Sequence, residues 1–413
     1  MTPYDIISWT VIVGFIVVFI LTLLGMIGKI TFSNPRHLNK LFTVLILEVV
    51  ALGILIFNDG FSRKDQFLSR AELLYDDAQE LYELKDYDEA LGKLALISGI
   101  DGEPDEFRIA DIFLLRGDIY FNRQMYAEAV NQYSIYVEMA PNSVDALSRY
   151  ARSLRAVHRY DDAKIVAERA YAINQNHYYV LNNLNNIYRR EAGFLLDGER
   201  VEASDRLFEK ARQYVVSMRR IADVATENQY KKKLNADVAM AALNWQWERL
   251  GAAIALYEKI AVDYPDHSRS FEDLAAIYLE YGEDTSSIAY IEKSLGLYNK
   301  LYLEALDDQD KIYMGSGIAE ATAMLPNPSP DQLTHAKNTA LLTIAQNETL
   351  IDDPYAHYAA AILYKKMDNI EEAQKFIDNA IRYEKRRASN PFTFDYKRLV
   401  KYELLRNSWQ NNS

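Results

Sequence analysis

Apolar and polar positions are arranged in two regimes along this chain. In the first sixty residues the apolar positions are consecutive. Ile6–Gly28 contains no charged side chain, and a helix rising about 1.5 Å per residue over that length matches a hydrocarbon core about 30 Å thick. Leu41–Phe57 is shorter, holds one acid, Glu48, and sits at the lower limit of a span. The polar turn Lys29–Lys40 separates the two runs, so the pattern predicts a transmembrane helical hairpin with spans at about 6–28 and 41–57. A cleaved signal peptide is the alternative for the first run, but residues 1–5 have no basic side chain and the run is too long. A buried soluble helix is the alternative for the second, whose sequence has no polar face.

Basic residues near the spans set the expected orientation. The N-terminal tail has none, while the turn carries Lys29, Arg36 and Lys40 without an acid. Arg63, Lys64 and Arg70 follow the second run but are diluted by Asp59, Asp65 and Glu72. The turn is therefore expected in the cytoplasm. Both termini then lie outside, which in a bacterium is the periplasmic face of the inner membrane.

Beyond residue 70 the apolar positions fall three or four apart, as on amphipathic helices, and small residues recur in a frame. Ala78 and Ala90 open it. Gly117, Tyr120, Ala129, Tyr133 and Pro141 repeat it, as do Ala151, Leu154, Ala163, Ala167 and Ala170. It returns at Ala241, Ala253, Tyr257 and Pro265, at Ala275, Tyr278, Ser287 and Ile291, and at Ala361, Tyr364, Ala373, Ile377 and Ala380. The step from Ala129 to Ala163 is 34 residues, and so is the step from Ala253 to Ser287. Small side chains let paired helices approach, large ones fill the groove between them, and proline ends the second helix.

This frame resembles the tetratricopeptide repeat, whose period is about 34 residues. The resemblance covers roughly residues 70–387 and implies an all-α chain: the hairpin, then an α-solenoid of helix pairs. The expected domains are 1–60 for the hairpin, 61–325 for the solenoid, and 326–413 for further degenerate units and a cap. The departures are an enlarged loop near Gly99–Pro104, an insertion at Glu191–Val201, and a poorly fitting stretch over 295–350. In that stretch Gly315-Ser316-Gly317 and Pro326–Pro330 are expected to break helices, and Phe392–Trp409 is expected to cap the stack.

Charge and composition narrow the chemistry. The chain carries a formal net charge of −13, and setting aside the five Lys/Arg and three acids before residue 65 leaves −15 on the remainder. An acidic surface argues against nucleic acid and against docking on anionic lipid. With no cysteine there is no disulfide, thiolate metal site or cysteine nucleophile. The six histidines form no ligand pair at helical spacing, and no phosphate loop, nucleophile elbow or dinucleotide fingerprint occurs. No enzyme activity, cofactor, metal or small-molecule substrate is expected.

The resemblance also implies which residues line the concave face: those six and three before the first-helix small slot, and one and four after it. In the fourth unit these are Tyr179, Asn182, Asn186 and Arg189; in the third, Asp145, Ser148, Arg152 and Arg155; in the second, Asp111, Leu114, Asp118 and Phe121. Guanidinium forks and amides on one inner face suit a carboxylate or an extended peptide backbone. Ordinary solvated helix surface is the competing explanation. Within the hairpin, Glu48 falls level with Leu21 and Thr22, where Thr22 is placed to share a hydrogen bond with a protonated Glu48. A contact to another membrane helix and a proton-coupled site are the alternatives for Glu48. The expected function is a membrane-anchored scaffold that binds protein partners in its groove, with the hairpin in the lipid bilayer. An accessory subunit of an ion-driven or transport machine and a membrane-tethered chaperone are the competing classes. An anchor followed by repeats also resembles the periplasmic flagellar-collar proteins of spirochaetes.

Overall fold

The computed structural model describes residues 13, 16–25, 27, 40, 42–47, 49–50, 70–97, 109–197, 200–305, 308–350, 354–387 and 396–410. Regular structure in them is helical. Two compact units form, Met1–Pro141 and Asn142–Ser413.

In the first unit short stretches at 16–25 and 42–47 are helical. Phe19, Ile20, Leu23, Phe42 and Leu47 on them are exposed. Among the described residues no helix is long and apolar enough to cross a membrane, and much of the two expected spans lies outside the described residues. So does Glu48. Thr22 is buried and gives its hydroxyl proton to the Val18 carbonyl at 2.7 Å, within its own helix. Four helices follow: α1 (70–83), α2 (Tyr87–Ile97), α3 (Ile109–Asn122) and α4 (Tyr126–Met139).

The second unit holds α5 (Val144–Ala156), α6 (Tyr160–Ile173), α7 (Tyr178–Asp197), α8 (Val201–Val224), α9 (Gln229–Gln246), α10 (Leu250–Asp263), α11 (Ser268–Thr285) and α12 (Ile288–Glu304). It continues with α13 (Asp308–Met324), α14 (Pro330–Leu350), α15 (Pro354–Lys366), α16 (Ile370–Arg387) and α17 (Tyr396–Gln410). Each helix packs on the next, and first helices also meet: α5 with α7, α7 with α9, α11 with α13, α13 with α15.

The small slots are where the helices touch. Ala90, Ala129, Ala151, Ala163, Ala253, Ala275, Ala361 and Ala373 have no solvent exposure. At Gly117 a Cβ would stand 2.6 Å from the Tyr133 ring, so the slot fits only hydrogen there. Gly317 meets the Tyr298 ring in the same way, at 2.5 Å. This corrects the expectation of a helix break at Gly315-Ser316-Gly317: α13 runs through it, because the missing side chains let α12 and α14 close on its backbone. Pro326–Pro330 does interrupt the helices, and it also starts one. Ser329 caps α14, its Oγ accepting from Gln332 N–H at 3.2 Å while Gln332 accepts from Ser329 N–H at 2.7 Å, and Pro330 opens the first turn. The insertion at Glu191–Val201 is also largely helical, since α7 extends to Asp197 and α8 begins at Val201.

A second repeating feature closes the pairs. Lys85, Gln124, His158, Glu248, Ser286 and Asp368 have positive φ of 54–63°, each just before a second helix. The following amide returns to a carbonyl five residues back: Asp86 to Leu81, Met125 to Tyr120, Arg159 to Leu154, Arg249 to Asn244, Ser287 to Gly282, Asn369 to Tyr364, at 2.8–2.9 Å. These are Schellman stops, which satisfy the last carbonyls of the first helix while reversing the chain.

The terminal helix α17 buries Tyr402 and Trp409, and Tyr402 stacks on Tyr358 with centroids 4.7 Å apart. Lys401 Nζ donates to Glu283 Oε2 on α11 at 2.9 Å.

Candidate protein-interaction groove

Asn183 on α7 organises the site. It is 3% exposed; its Nδ2 donates to the Ser148 carbonyl at 2.8 Å and to Ser148 Oγ at 3.3 Å. Its Oδ1 accepts from Arg155 Nη1 at 2.8 Å, so one amide fixes α7 to α5 and aims the arginine. One turn on, Asn186 Nδ2 donates to the Asn182 carbonyl at 2.8 Å and to Asn182 Oδ1 at 3.1 Å. Asn186 Oδ1 accepts from Arg189 Nη2 at 3.3 Å. The asparagines are thus not open donors along the groove; they hold the guanidiniums in place.

Arg155 and Arg189 are partly accessible to water yet largely surrounded by protein. Burial pulls Arg155 down to about 10, with Arg189, Arg152 and Arg190 pushing the same way. Burial likewise lowers Arg189, against the pull of Tyr257 and Asp273. The Nε of each is buried with no hydrogen-bond partner. Among the described residues neither guanidinium has an ion pair.

The other expected residues are less tightly joined. Arg152 is exposed on α5 and close enough to act on Arg155 electrostatically. Tyr179 is 51% exposed at the start of α7, where its ring stands edge-on to Tyr178 at 5.5 Å and near His177 at 6.1 Å. Asp145 accepts from His177 Nε2 at 2.9 Å. In the first unit, Asp118 accepts from the Tyr133 hydroxyl at 2.5 Å and Phe121 packs edge-on against Tyr126.

Sequence reasoning missed Asn183 and Arg190. Four asparagines within Asn182–Asn186 were the available signal, since a buried face of a helix seldom carries so many amides. Arg190 lies 4.3 Å from the Tyr160 ring centre and 5.1 Å from that of Phe194, in a cleft of about 340 Å³ beside Ile187. The acids deeper in the second unit have partners. Tyr257 donates to Asp273 at 3.1 Å, Arg269 pairs with Glu272 at 3.1 Å and with Asp273 at 3.6 Å, and Tyr355 donates to Glu320. Burial raises Asp273 and Glu320 above the usual carboxylate range.

Helix pairs joined by left-handed stops and packed through small slots, with polar side chains gathered on first helices, define an all-helical repeat fold that resembles a tetratricopeptide solenoid. Many solved structures are similar to the chain, among them the three that follow. A tetratricopeptide repeat protein from Parabacteroides merdae aligns at 15% identity and a TM-score of 0.44, over 67% of this chain and 99% of its own. Pseudomonas aeruginosa PilF aligns at 14% and 0.33, covering 71% and 96%, and yeast Tom70 at 10% and 0.29, covering 83% and 96%. No protein-family profile and no curated protein sequence matches the chain.

Proposed function

We propose that the chain is a membrane-anchored adaptor whose repeats bind a protein partner and support assembly of a multiprotein complex. The observation that carries this is the pair Arg155 and Arg189, held in register by Asn183 and Asn186 on successive first helices. Donors fixed in that way are positioned for recognition, whereas solvated surface arginines swing freely. The anchor is the apolar hairpin at 6–28 and 41–57, an assignment supported by its uncharged first run and by the outward Phe19, Leu23, Phe42 and Leu47. The charge bias around the turn favours a periplasmic repeat domain, the setting of the flagellar-collar proteins that the architecture resembles. The protein acts by binding and catalyses nothing.

Affinity purification from solubilised membranes tests the groove. Changing the exposed Arg152→Glu should weaken partner recovery while leaving the melting temperature of the chain in place, whereas Arg155→Glu should also lower the melt, because it sets a carboxylate against the buried Asn183 oxygen. Undiminished recovery would move the binding surface elsewhere. The identity of what is recovered separates assembly components from pump subunits and from miscellaneous clients.

A further inference from the structure

Two helices of the second unit are longer than their repeat requires. Second helices α4, α6, α8 and α10 each begin three residues before a buried small slot, Ala129, Ala163, Ser204 and Ala253. Of these, α4, α6 and α10 stop after 14 residues, whereas α8 runs for 24. First helices α5, α7, α11 and α15 begin seven residues before Ala151, Asn185, Ala275 and Ala361, whereas α9 begins twelve before Ala241. At about 1.5 Å per residue, the extra ten and five residues lengthen the two arms by about 15 and 8 Å. The added stretch, 215–233, also reverses the sign of the protein. It holds Arg219, Arg220, Lys231, Lys232 and Lys233 against Asp223 and Glu227, a balance of +3 in a chain of −13. Arg219 and Lys233 tie the arms together, Lys233 to Asp223 at 3.4 Å and Arg219 to Asp223 at 3.3 Å and to Asp237. Arg220, Lys231 and Lys232 have no ion pair among the described residues. On the same stretch Val224 is 79% exposed and Tyr230 55%, its ring held edge-on to Tyr264 at 5.2 Å. Arg220 and Val224 share one open groove of about 420 Å³ with Val216, Met240 and Leu256, so cation and aliphatic groups face the same way.

We propose that the lengthened α8–α9 turn is a foot by which the repeats rest on the anionic headgroups of a bilayer. This rests on the chain being membrane-anchored and names the surface that its repeats turn to the lipid. Aliphatic and tyrosine side chains flanked by lysine and arginine suit that boundary, the apolar parts entering the acyl edge while the cations stay with the phosphates. The acid excess elsewhere opposes a general attraction to such lipid, so the charge asymmetry orients the domain, with the foot toward the surface and the acidic body away from it. Tethered through its own chain, the foot needs little affinity of its own. The two apolar runs at 6–28 and 41–57 put a bilayer within reach, which favours lipid over an acidic protein as the partner of this patch.

The chain has no cysteine, so Thr226→Cys in the turn and Gln246→Cys at the far end of α9, about 25 Å away, each take a single environment-sensitive fluorophore. Both positions are exposed. The full-length chain is exchanged from detergent into vesicles of phosphatidylcholine, alone or mixed with phosphatidylglycerol, at constant ionic strength. The Thr226 label should shift to the blue with phosphatidylglycerol and keep its aqueous emission with phosphatidylcholine, and the Gln246 label should respond to neither. Arg220→Gln, Lys231→Gln and Lys232→Gln together should abolish the shift without lowering the melting temperature, since none of the three is paired, and Val224→Asp should reduce it. A Thr226 label that stays aqueous in both vesicles, equal shifts in both, a shift shared by Gln246, or one that survives in the glutamine variant would each overturn the assignment. Loss of partner recovery in the glutamine variant, with the label aqueous in vesicles, would make the turn a protein-binding surface instead. Flotation with phosphatidylcholine vesicles reports the anchor separately. A chain that floats there but keeps an aqueous Thr226 label with phosphatidylglycerol retains the hairpin and loses the foot. One that fails to float there, yet shows the charge-dependent shift with phosphatidylglycerol, loses the hairpin and retains the foot.

Discussion

A buried hydroxyl or carboxyl in this chain is seldom alone, and tyrosine supplies most of the pairing. Tyr133 donates to Asp118, Tyr278 to Glu258 at 2.6 Å, Tyr264 to Asp237 at 3.0 Å and Tyr188 to Glu168. Part of the acid excess is therefore structural: each phenol that fills a slot needs an acceptor at its polar end. Glu320 is the most demanding case. It is 6% exposed, hydrogen-bonded by Tyr355, and burial raises its pKa against the pull of Lys401 and Arg398. Its folded pKa lies above its unfolded one, so its contribution to stability is full below the unfolded value and is lost as pH rises through the folded value. Glu320→Gln, which keeps an acceptor for Tyr355 without the charge, should raise the melting temperature at neutral pH. The gain should shrink as the pH falls into the carboxylate range. A pH-independent difference would place its origin in packing.

At the scale of helices and turns, the small slots were legible in the sequence because a close helix crossing allows few residue types, and alanine or glycine marks it directly. The reversals were not. A Schellman stop is a backbone conformation, and here it is adopted by Lys85, Gln124, Glu248 and Ser286, none of which announces a left-handed residue, as well as by His158 and Asp368, whose types favour one only weakly. Gly315 and Gly317 misled in the opposite direction, looking like breakers when they are contact points within α13. In the groove, the family frame located Arg155 and Arg189 but not Asn183, which faces the preceding unit and has no place in a list of concave positions. The stops give a direct prediction. Gln124 is exposed with φ 61°, so Gln124→Gly should stabilise the chain by about 0.5–1 kcal/mol, and Gln124→Val, β-branched in a left-handed turn, should destabilise it. Denaturant midpoints in the wrong order would mean that the turn relaxes around its residue.

For the whole molecule, orientation decides what the groove can meet. The basic turn Lys29–Lys40 predicts residues 58–413 outside the cytoplasm, so protease added to spheroplasts should digest the repeats. Protection until lysis would reverse the orientation. Within the second unit, helices touch near neighbours, as in any linear stack. The link from Lys401 to Glu283 is different in kind, because it joins positions 118 residues apart. An array of units with neighbour contacts alone gives way one unit at a time when drawn from its end, in a staircase of small extensions. Here one apolar cluster runs from Ala275 on α11 to Trp409 on the last helix, with the Lys401–Glu283 pair at its rim, and that shared core turns the staircase into a single event. Pulled by its C-terminus, the unit should resist until α17 shears free and then release the chain between the two residues at once, roughly 400 Å of extended polypeptide. Tyr402→Ala should lower the release force and split it into separate steps, whereas Lys401→Ala should lower it only slightly, so the shared core sets the load at which these helices let go.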